Sequence, residues 1–589
     1  MIAQIPGRRM TMLASTALVL LTFLTGTLWS QVRTPDAGVT TVGLIPVPNW
    51  TATGTVSFDL STFNPLTRVL YYADRNNHGA TAIDTKTNTF VGVVAPPGCT
   101  GTSCPSGALV IPDLQKLVLT SRGTTLWIYD LRVPGAEPLT VSPVPNGIDE
   151  LDYDPIHQRI YIGNTVAPFF LIGIDLVGPA AGTVVASIPL PGSPEQPRFN
   201  PVDGLIYLTI PSVGLLVMDP NAGPSGTGAI VNTFAVADCG PQGNDIDPVT
   251  NTILVACVTP TMRGAQVMRL TDGMVLKFWP NTSGIDVLGF NPNNRRWYTG
   301  SGSNVNDGGN CPSINTGAAF PVLGVYAATP LGSTENPVLV GAECSGRGAR
   351  VAGVDPIGNN IYVAVAQYPA DPSSATTGQA GILVFNDSTA TQPSPARTQA
   401  ALGSNGIATF TFQGHTVNVF ARLQGVTDGS SRLVVTTTVG NEVIDCNGSG
   451  SQAQCAGTLI GDPLIGGTVL LGNNGRILSK GTIVATPPLL VTGLSFDSTS
   501  TRIGSAYTAT ISGSNLTNQT FFDVRFRAPG SVADNVASNW QTGLSASHSV
   551  PAGLPTGAWT ITGVRAHQDA SDHTGSFVPL STTITVSSQ

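Results

Sequence analysis

The sequence predicts an all-β protein on three observations: one short phrase written seven times, the two-residue alternation of strands, and a composition rich in turn residues. Residues 147–164, GIDELDYDPIHQRIYIGN, carry the clearest copy of the phrase. Apolar positions Ile148, Leu151 and Tyr153 run into Asp154-Pro155, and Ile160-Tyr161-Ile162 follows at once. That pattern reads as two antiparallel strands joined by a tight turn. FNPLTRVLYYAD, FNPVDGLIYLT, IDPVTNTILVA, FNPNNRRWYTG and VDPIGNNIYVA repeat it, ending at Asp74, Thr209, Ala256, Gly300 and Ala364. IPDLQKLVLTS, ending at Ser121, is a divergent copy. Charged residues are only 11% of the 589, against 67 Gly and 45 Pro, the balance of a strand-and-turn protein rather than a helical one.

The N-terminus carries an export address. Arg8-Arg9 precede an apolar run over 12–24 that has the length of a signal-peptide core and is short for a membrane span. The segment 1–30 is therefore expected to direct Sec export and to be cleaved near Ser30. The protein is expected to be periplasmic, cell-surface or extracellular, with no transmembrane segment after the leader. Eight cysteines fit that compartment. Read by proximity they pair as Cys99–Cys104, Cys239–Cys257, Cys311–Cys344 and Cys446–Cys455, although spacing alone does not settle connectivity. Net charge is −8 and the only lysines are Lys86, Lys116, Lys277 and Lys480. A chain so poor in cations lacks the means to neutralise phosphates, so nucleic acid is not an expected partner.

The turn prolines 65, 112, 155, 201, 248, 292 and 356 set the period of the central region, with five intervals of 43–47 residues and a sixth of 64. Four-stranded propeller blades take roughly 40–50 residues each, so 41–386 is expected to be a seven-bladed β-propeller. Third strands fall at Ala82-Ile83-Asp84, Trp127-Ile128-Tyr129-Asp130, Ile172-Gly173-Ile174-Asp175 and Leu216-Val217-Met218-Asp219, and fourth strands at 90–94, 183–188 and 230–234. The long interval holds an insertion over 301–319 that contains Cys311. Residues 42–48 resemble 185–191, a segment just before a repeat, so they read as an orphan outer strand. Its use is to complete the last blade and close the ring, which removes exposed sheet edges.

The xPxxxxIYV core with a following V-x-D strand resembles YVTN-type and NHL-like β-propeller repeats over about 41–386. The resemblance implies a fold and no particular activity, since propellers host binding modules and enzymes alike. Residues 387–400, rich in Ser, Thr and Pro, read as a linker. Beyond it, 401–487 alternates like a small β-sandwich, and 488–589 like a second. NLTNQTFFDVRFRAPGS and GAWTITGVRAHQDASDHTG in the second resemble the Ig-like modules that end secreted bacterial proteins, which implies an accessory domain.

A propeller turns the innermost strand of each blade toward a central channel. Six positions before the successive turn prolines stand Asp59, Ser106, Asp149, Glu195, Gln242, Asp286 and Arg350. Acids converging at low dielectric attract a cation or an amine, and oxygen ligands of this kind suit Ca2+. Arg350 would neutralise an acid or orient a carboxylate. A register slip of one residue would turn the whole set away from the axis. His567, Asp569, Asp572 and His573 in HQDASDH read as an exposed hairpin loop with the spacing of a surface metal site. No Gly-x-Ser-x-Gly elbow, HExxH or phosphate-binding loop is present. The expected function is a secreted binding or scaffold protein presenting a surface to a protein, carbohydrate or small molecule. The alternative is a Ca2+-assisted lactonase- or lyase-type enzyme working from the channel acids.

Overall fold

A computed structural model describes residues 37–588 apart from 52–55, 224–226, 237, 260–262, 281, 303–320, 331–332, 369–377, 390–396, 414–415, 425, 427–430, 449–451, 487–488, 504, 517–519, 541–544, 550–554 and 568–575. The expected signal peptide and Cys311 lie outside the described residues. So does nearly all of the insertion.

Each repeat makes its hairpin by the same device. The residue before the turn proline is an Asn or Asp in six of the copies, and its side-chain oxygen accepts the N–H two residues on: Asn64 from Leu66 (3.0 Å), Asp154 from Ile156 (2.9 Å), Asp355 from Ile357 (2.9 Å). Asn200, Asp247 and Asn291 do the same. This local bond holds the turn closed. Three residues past each proline the backbone is left-handed, with φ from 50° at Gln115 to 75° at Gly204. The divergent copy starts its turn with a short 3-10 helix, Pro112–Leu114, instead.

Every copy opens a four-stranded antiparallel sheet. Among the described residues there are seven such sheets, whose first strands are Phe58–Asn64, Gly107–Ile111, Ile148–Asp154, Pro197–Asn200, Pro241–Asp247, Leu288–Asn291 and Ala352–Asp355. Successive first strands lie side by side, and that of the seventh sheet returns to that of the first. The chain is thus all-β, with an arrangement consistent with a β-propeller. In the seventh sheet the outer strand is Thr40–Pro46, which pairs with Gln379–Asn386 in the register Leu44↔Leu383, Ile45↔Ile382. First and seventh sheets are further tied by Arg68 to Asp355 (2.6 Å) and by the Tyr72 hydroxyl donating to the Tyr362 carbonyl (2.5 Å). Tyr161, Tyr362 and Trp297 are fully buried between sheets.

Cysteines pair as Cys99–Cys104, Cys239–Cys257 and Cys446–Cys455. Cys344 is also disulfide-bonded. No helix among the described residues is long and apolar enough to cross a membrane.

The third region departs from expectation. Strand Arg397–Ala401 already starts inside the stretch read as linker, and the eight strands from there to Arg476–Ala485 form a closed barrel rather than a β-sandwich. The physical reason is that both architectures write the same in-out alternation. The barrel is decided by one long-range pairing, Arg397–Ala401 with Arg476–Ala485 (Gln399↔Val484), which joins the first strand to the last. The final region has a three-stranded sheet (Leu490–Phe496, Ala506–Ser514, Ser545–Ser549) and a five-stranded one built around Gly557–His567. Their apolar sides share one core that includes Ile511, Phe522, Val524 and Trp559.

The barrel packs against the proline-turn end of the sheets. Arg432, on strand Ser431–Thr437, is 4% exposed; it bonds Asp113 (2.7 Å), the Pro155 carbonyl (2.6 Å) and Asp445 (2.8 Å). Around it Ile156 and Tyr161 share an apolar cluster with Val434 and Leu470 of the barrel.

Candidate functional site: an acidic mouth on the axis

The axial strands make two compartments. At the proline-turn end lies a cavity of about 330 Å³ lined by all seven first strands, with Asp152, Arg198 and Asp245 as its charged groups. Thr437, Val439 and Gly440 of the barrel also line it. Its acids are engaged in structure: Asp152 accepts the Phe199 N–H (2.6 Å) and Asp245 that of Phe290 (2.9 Å), each stitching one first strand to the next.

The opposite mouth collects the residues picked by register. Asp59 and Asp149 are buried and joined through Arg122, which stands 3.0 Å from Asp149 and 3.8 Å from Asp59. Asp286 lies 3.4 Å from Arg350, and both line a pocket of about 380 Å³ with Gln242. Glu195 is half-buried; it feels the charge of Asp59, and its own charge acts on Glu150. Ser106, which shares the register, is spent on structure: its hydroxyl donates to the Ile148 carbonyl (3.0 Å).

Three participants were not legible from register alone: Glu150, Arg75 and Arg122. The pairing of Ile148–Asp154 shifts between Ile148 and Leu151. Such a bulge presents two consecutive residues on one side, so Asp149 and Glu150 both join the cluster. Arg75 and Arg122 each follow the end of a second strand, Val69–Asp74 and Lys116–Thr120, and that shared position was the available signal. Arg75 is buried and ion-paired with Asp59.

Burial dominates the electrostatics. It pushes the Asp59 carboxyl up to about 7, helped by the charges of Asp149 and Asp286 and opposed by Arg75 and Arg122. It pushes Glu195 up to about 8, with Asp286, Asp149 and Asp59 adding to the effect. Glu150 is held well above the usual carboxylate range, and Asp149 is raised, for the same first reason. One oxygen of Glu150 and one of Asp149 are buried without a hydrogen-bond partner.

A pH dependence follows. The unfolded chain releases these protons near pH 4, whereas the folded mouth keeps those of Asp59 and Glu195 until about 7 and about 8. Between those limits the folded state binds more protons, so stability falls as pH rises. Each unit of the gap is worth about 1.4 kcal/mol. Thermal melts should decline from pH 6 to pH 9, and Asp59→Asn should flatten the decline. A melting temperature that climbs over this range would contradict the assignment.

The residues do not assemble into a metal-ligand set. Among the described residues no three His, Cys, Asp or Glu side chains are grouped so as to hold a metal ion. The acids from which a Ca2+ site was expected are instead interleaved with arginines, Arg75 at Asp59, Arg122 at Asp149 and Arg350 at Asp286. The HQDASDH segment is corrected too. His567 ends strand Gly557–His567, is 2% exposed and lies 3.2 Å from Asp523, so it belongs to the core. Asp569, Asp572 and His573 lie outside the described residues.

No protein-family model matches this chain, and no curated protein does. Among solved structures, a chain from the Kuenenia stuttgartiensis hydrazine synthase is similar, at 16% identity and a TM-score of 0.43, over 57% of this chain and 96% of that one. A chain from a mitotic checkpoint complex is similar at 10% identity and a TM-score of 0.44, over 61% and 94%. Likenesses at this level carry no functional argument.

Proposed function

We propose that this is an exported seven-bladed β-propeller of binding or scaffold type, with YVTN/NHL-like repeats over 41–386, a barrel to about 487 and an Ig-like module beyond. The ligand face is the acidic mouth. One observation carries this reading: the mouth gathers Asp59, Asp149, Glu150, Glu195 and Asp286 against three arginines and leaves buried carboxylate oxygens unsatisfied. Unpaired buried polar atoms are costly, and they persist where function uses them. The disulfides and the leader-like N-terminus support export. The Ca2+-assisted enzyme has no comparable observation behind it, since the acids form no metal-ligand group among the described residues.

The test is a thermal-shift screen of charged and neutral small molecules, sugars and short peptides against the wild type and Asp286→Asn/Arg350→Ala. Both side chains are partly exposed, so the variant should fold. Ligands whose stabilisation disappears in the variant support the reading. A screen in which every active ligand stabilises both proteins equally would move the binding face elsewhere.

A further inference from the structure

We propose that the acidic mouth is a receptor for primary ammonium groups, carried by a linear diamine or by a lysine side chain. This rests on reading the mouth as the ligand face and names what that face takes.

The argument starts from an uneven pairing of charges. Arg75 is committed to Asp59, Arg122 to Asp149 and Asp59, and Arg350 to Asp286. Glu150 and Glu195, from the neighbouring third and fourth sheets, make no ion pair among the described residues, although the charge of Arg122 acts on Glu195. Glu150 is 6% exposed, and one of its oxygens has no partner. Its charge is coupled to Glu195, Asp59, Asp149 and Asp286 together, which places its carboxyl among the other four. The neighbouring Asp149 oxygen is also unpartnered. The mouth therefore offers acceptors, and its five carboxyls outnumber its three guanidiniums. An anion would meet guanidiniums that are already ion-paired, although the buried Nε of Arg75 has no hydrogen-bond partner.

The spacing selects the kind of cation. A divalent metal demands several oxygens at roughly 2.0–2.6 Å from one point, and no such group is present among the described residues. An ammonium has three donors on a compact head and bonds carboxylates at about 2.7–2.9 Å without a fixed coordination shell. In the proposed complex it reaches the unpartnered oxygens of Glu150 and Asp149, which are buried in the empty mouth, so neighbouring side chains part to admit it while its alkyl chain leaves by the mouth.

Empty, the mouth offsets its excess of negative charge with protons on Glu150 and Glu195, both raised by burial and by their acidic neighbours. A bound ammonium replaces a proton, so binding and proton release are one event.

Calorimetric titration of the full-length mature protein at pH 6.0 and pH 8.5 tests this, with 1,4-diaminobutane in one arm and the peptide Gly-Lys-Gly in the other. At least one amine should bind at least tenfold more tightly at pH 8.5, with proton release seen as a buffer-dependent heat. The arm that binds identifies the source of the ammonium. Glu150→Gln should weaken binding at least tenfold and remove most of the proton release, while melting at or above the wild-type temperature. Failure of both amines to bind at millimolar concentration, or equal binding by Glu150→Gln, overturns the proposal. If amines fail while neutral or anionic ligands from the screen still depend on Asp286 and Arg350, the ligand class falls and the ligand face stands. If nothing depends on the mouth, both fall.

Discussion

Deleting residues 37–46 should cost the protein more than any single substitution, because those residues finish the seventh sheet. Ile45 is buried in the largest apolar cluster, and Ala37 and Val39 in the one around Phe385. Burying an aliphatic side chain of this size stabilises by about 1.5–3 kcal/mol. The backbone loses a ladder from Thr40↔Asn386 to Pro46↔Gly381. Strand Gln379–Asn386, where Ile382, Leu383, Val384 and Phe385 are all buried, would become an open edge. Unprotected edges of that kind recruit other chains. The truncated protein should melt at least about 10 °C lower, taking a few °C per kcal/mol, and should aggregate on warming. A synthetic peptide of residues 37–48 should restore part of the loss by adding back as a strand. A truncated protein that stays monomeric and melts within about 2 °C of the intact chain would show that the outer strand is dispensable.

How much of this was legible in the sequence depends on the range of the contact concerned. The repeats were legible because each is closed by a bond two residues long, as from Asp154 to Ile156. A proline that marks the turn also marks the register of the strand before it, so Asp59, Asp149, Glu195 and Asp286 could be picked for one mouth from spacing alone. Glu150 escaped because a bulge breaks the two-residue rule in the strand that carries it. The same register offered Ser106, whose hydroxyl is already committed to the backbone of the third sheet. The barrel escaped for a different reason. Its strands alternate as sandwich strands do, and closure is a pairing between residues about 85 apart (Gln399↔Val484) that leaves no local trace.

One imprint of the barrel was present in the repeats without being readable there. Of the left-handed turn positions three residues past the prolines, only that of the fourth sheet is glycine; the others include Arg68, Gln158, Asn251 and Asn359. Asparagine suits that backbone nearly as well, so conformation alone does not ask for glycine at 204. Docking does. The Ile477 side chain of the barrel occupies the space where a Cβ on Gly204 would stand, and Lys480 donates to the Val202 carbonyl beside it (3.3 Å). The same contact surface depends on Arg432 at its centre.

Arg432→Met is therefore expected to loosen the barrel from the sheets as well as to destabilise the chain. The substitution keeps much of the apolar stem but leaves Asp113, whose side chain is 10% exposed, with the Tyr153 hydroxyl (2.9 Å) in place of a guanidinium. It also strips the Pro155 carbonyl of its 2.6 Å donor. Breaking a buried ion pair from one side costs about 3–5 kcal/mol. Arg432→Met/Asp113→Leu should recover part of that, since the stranded charge is then gone. Gly204→Asn approaches the same interface by crowding Ile477 while leaving the turn conformation acceptable. Calorimetry should show the barrel unfolding at a lower temperature than in the wild type in both single variants, and small-angle scattering should report a larger radius. Unchanged melting and radius in Arg432→Met and Gly204→Asn together would mean that the barrel is held by contacts other than these. In that case the charged cavity between barrel and sheets would not owe its closure to the Arg432 cluster.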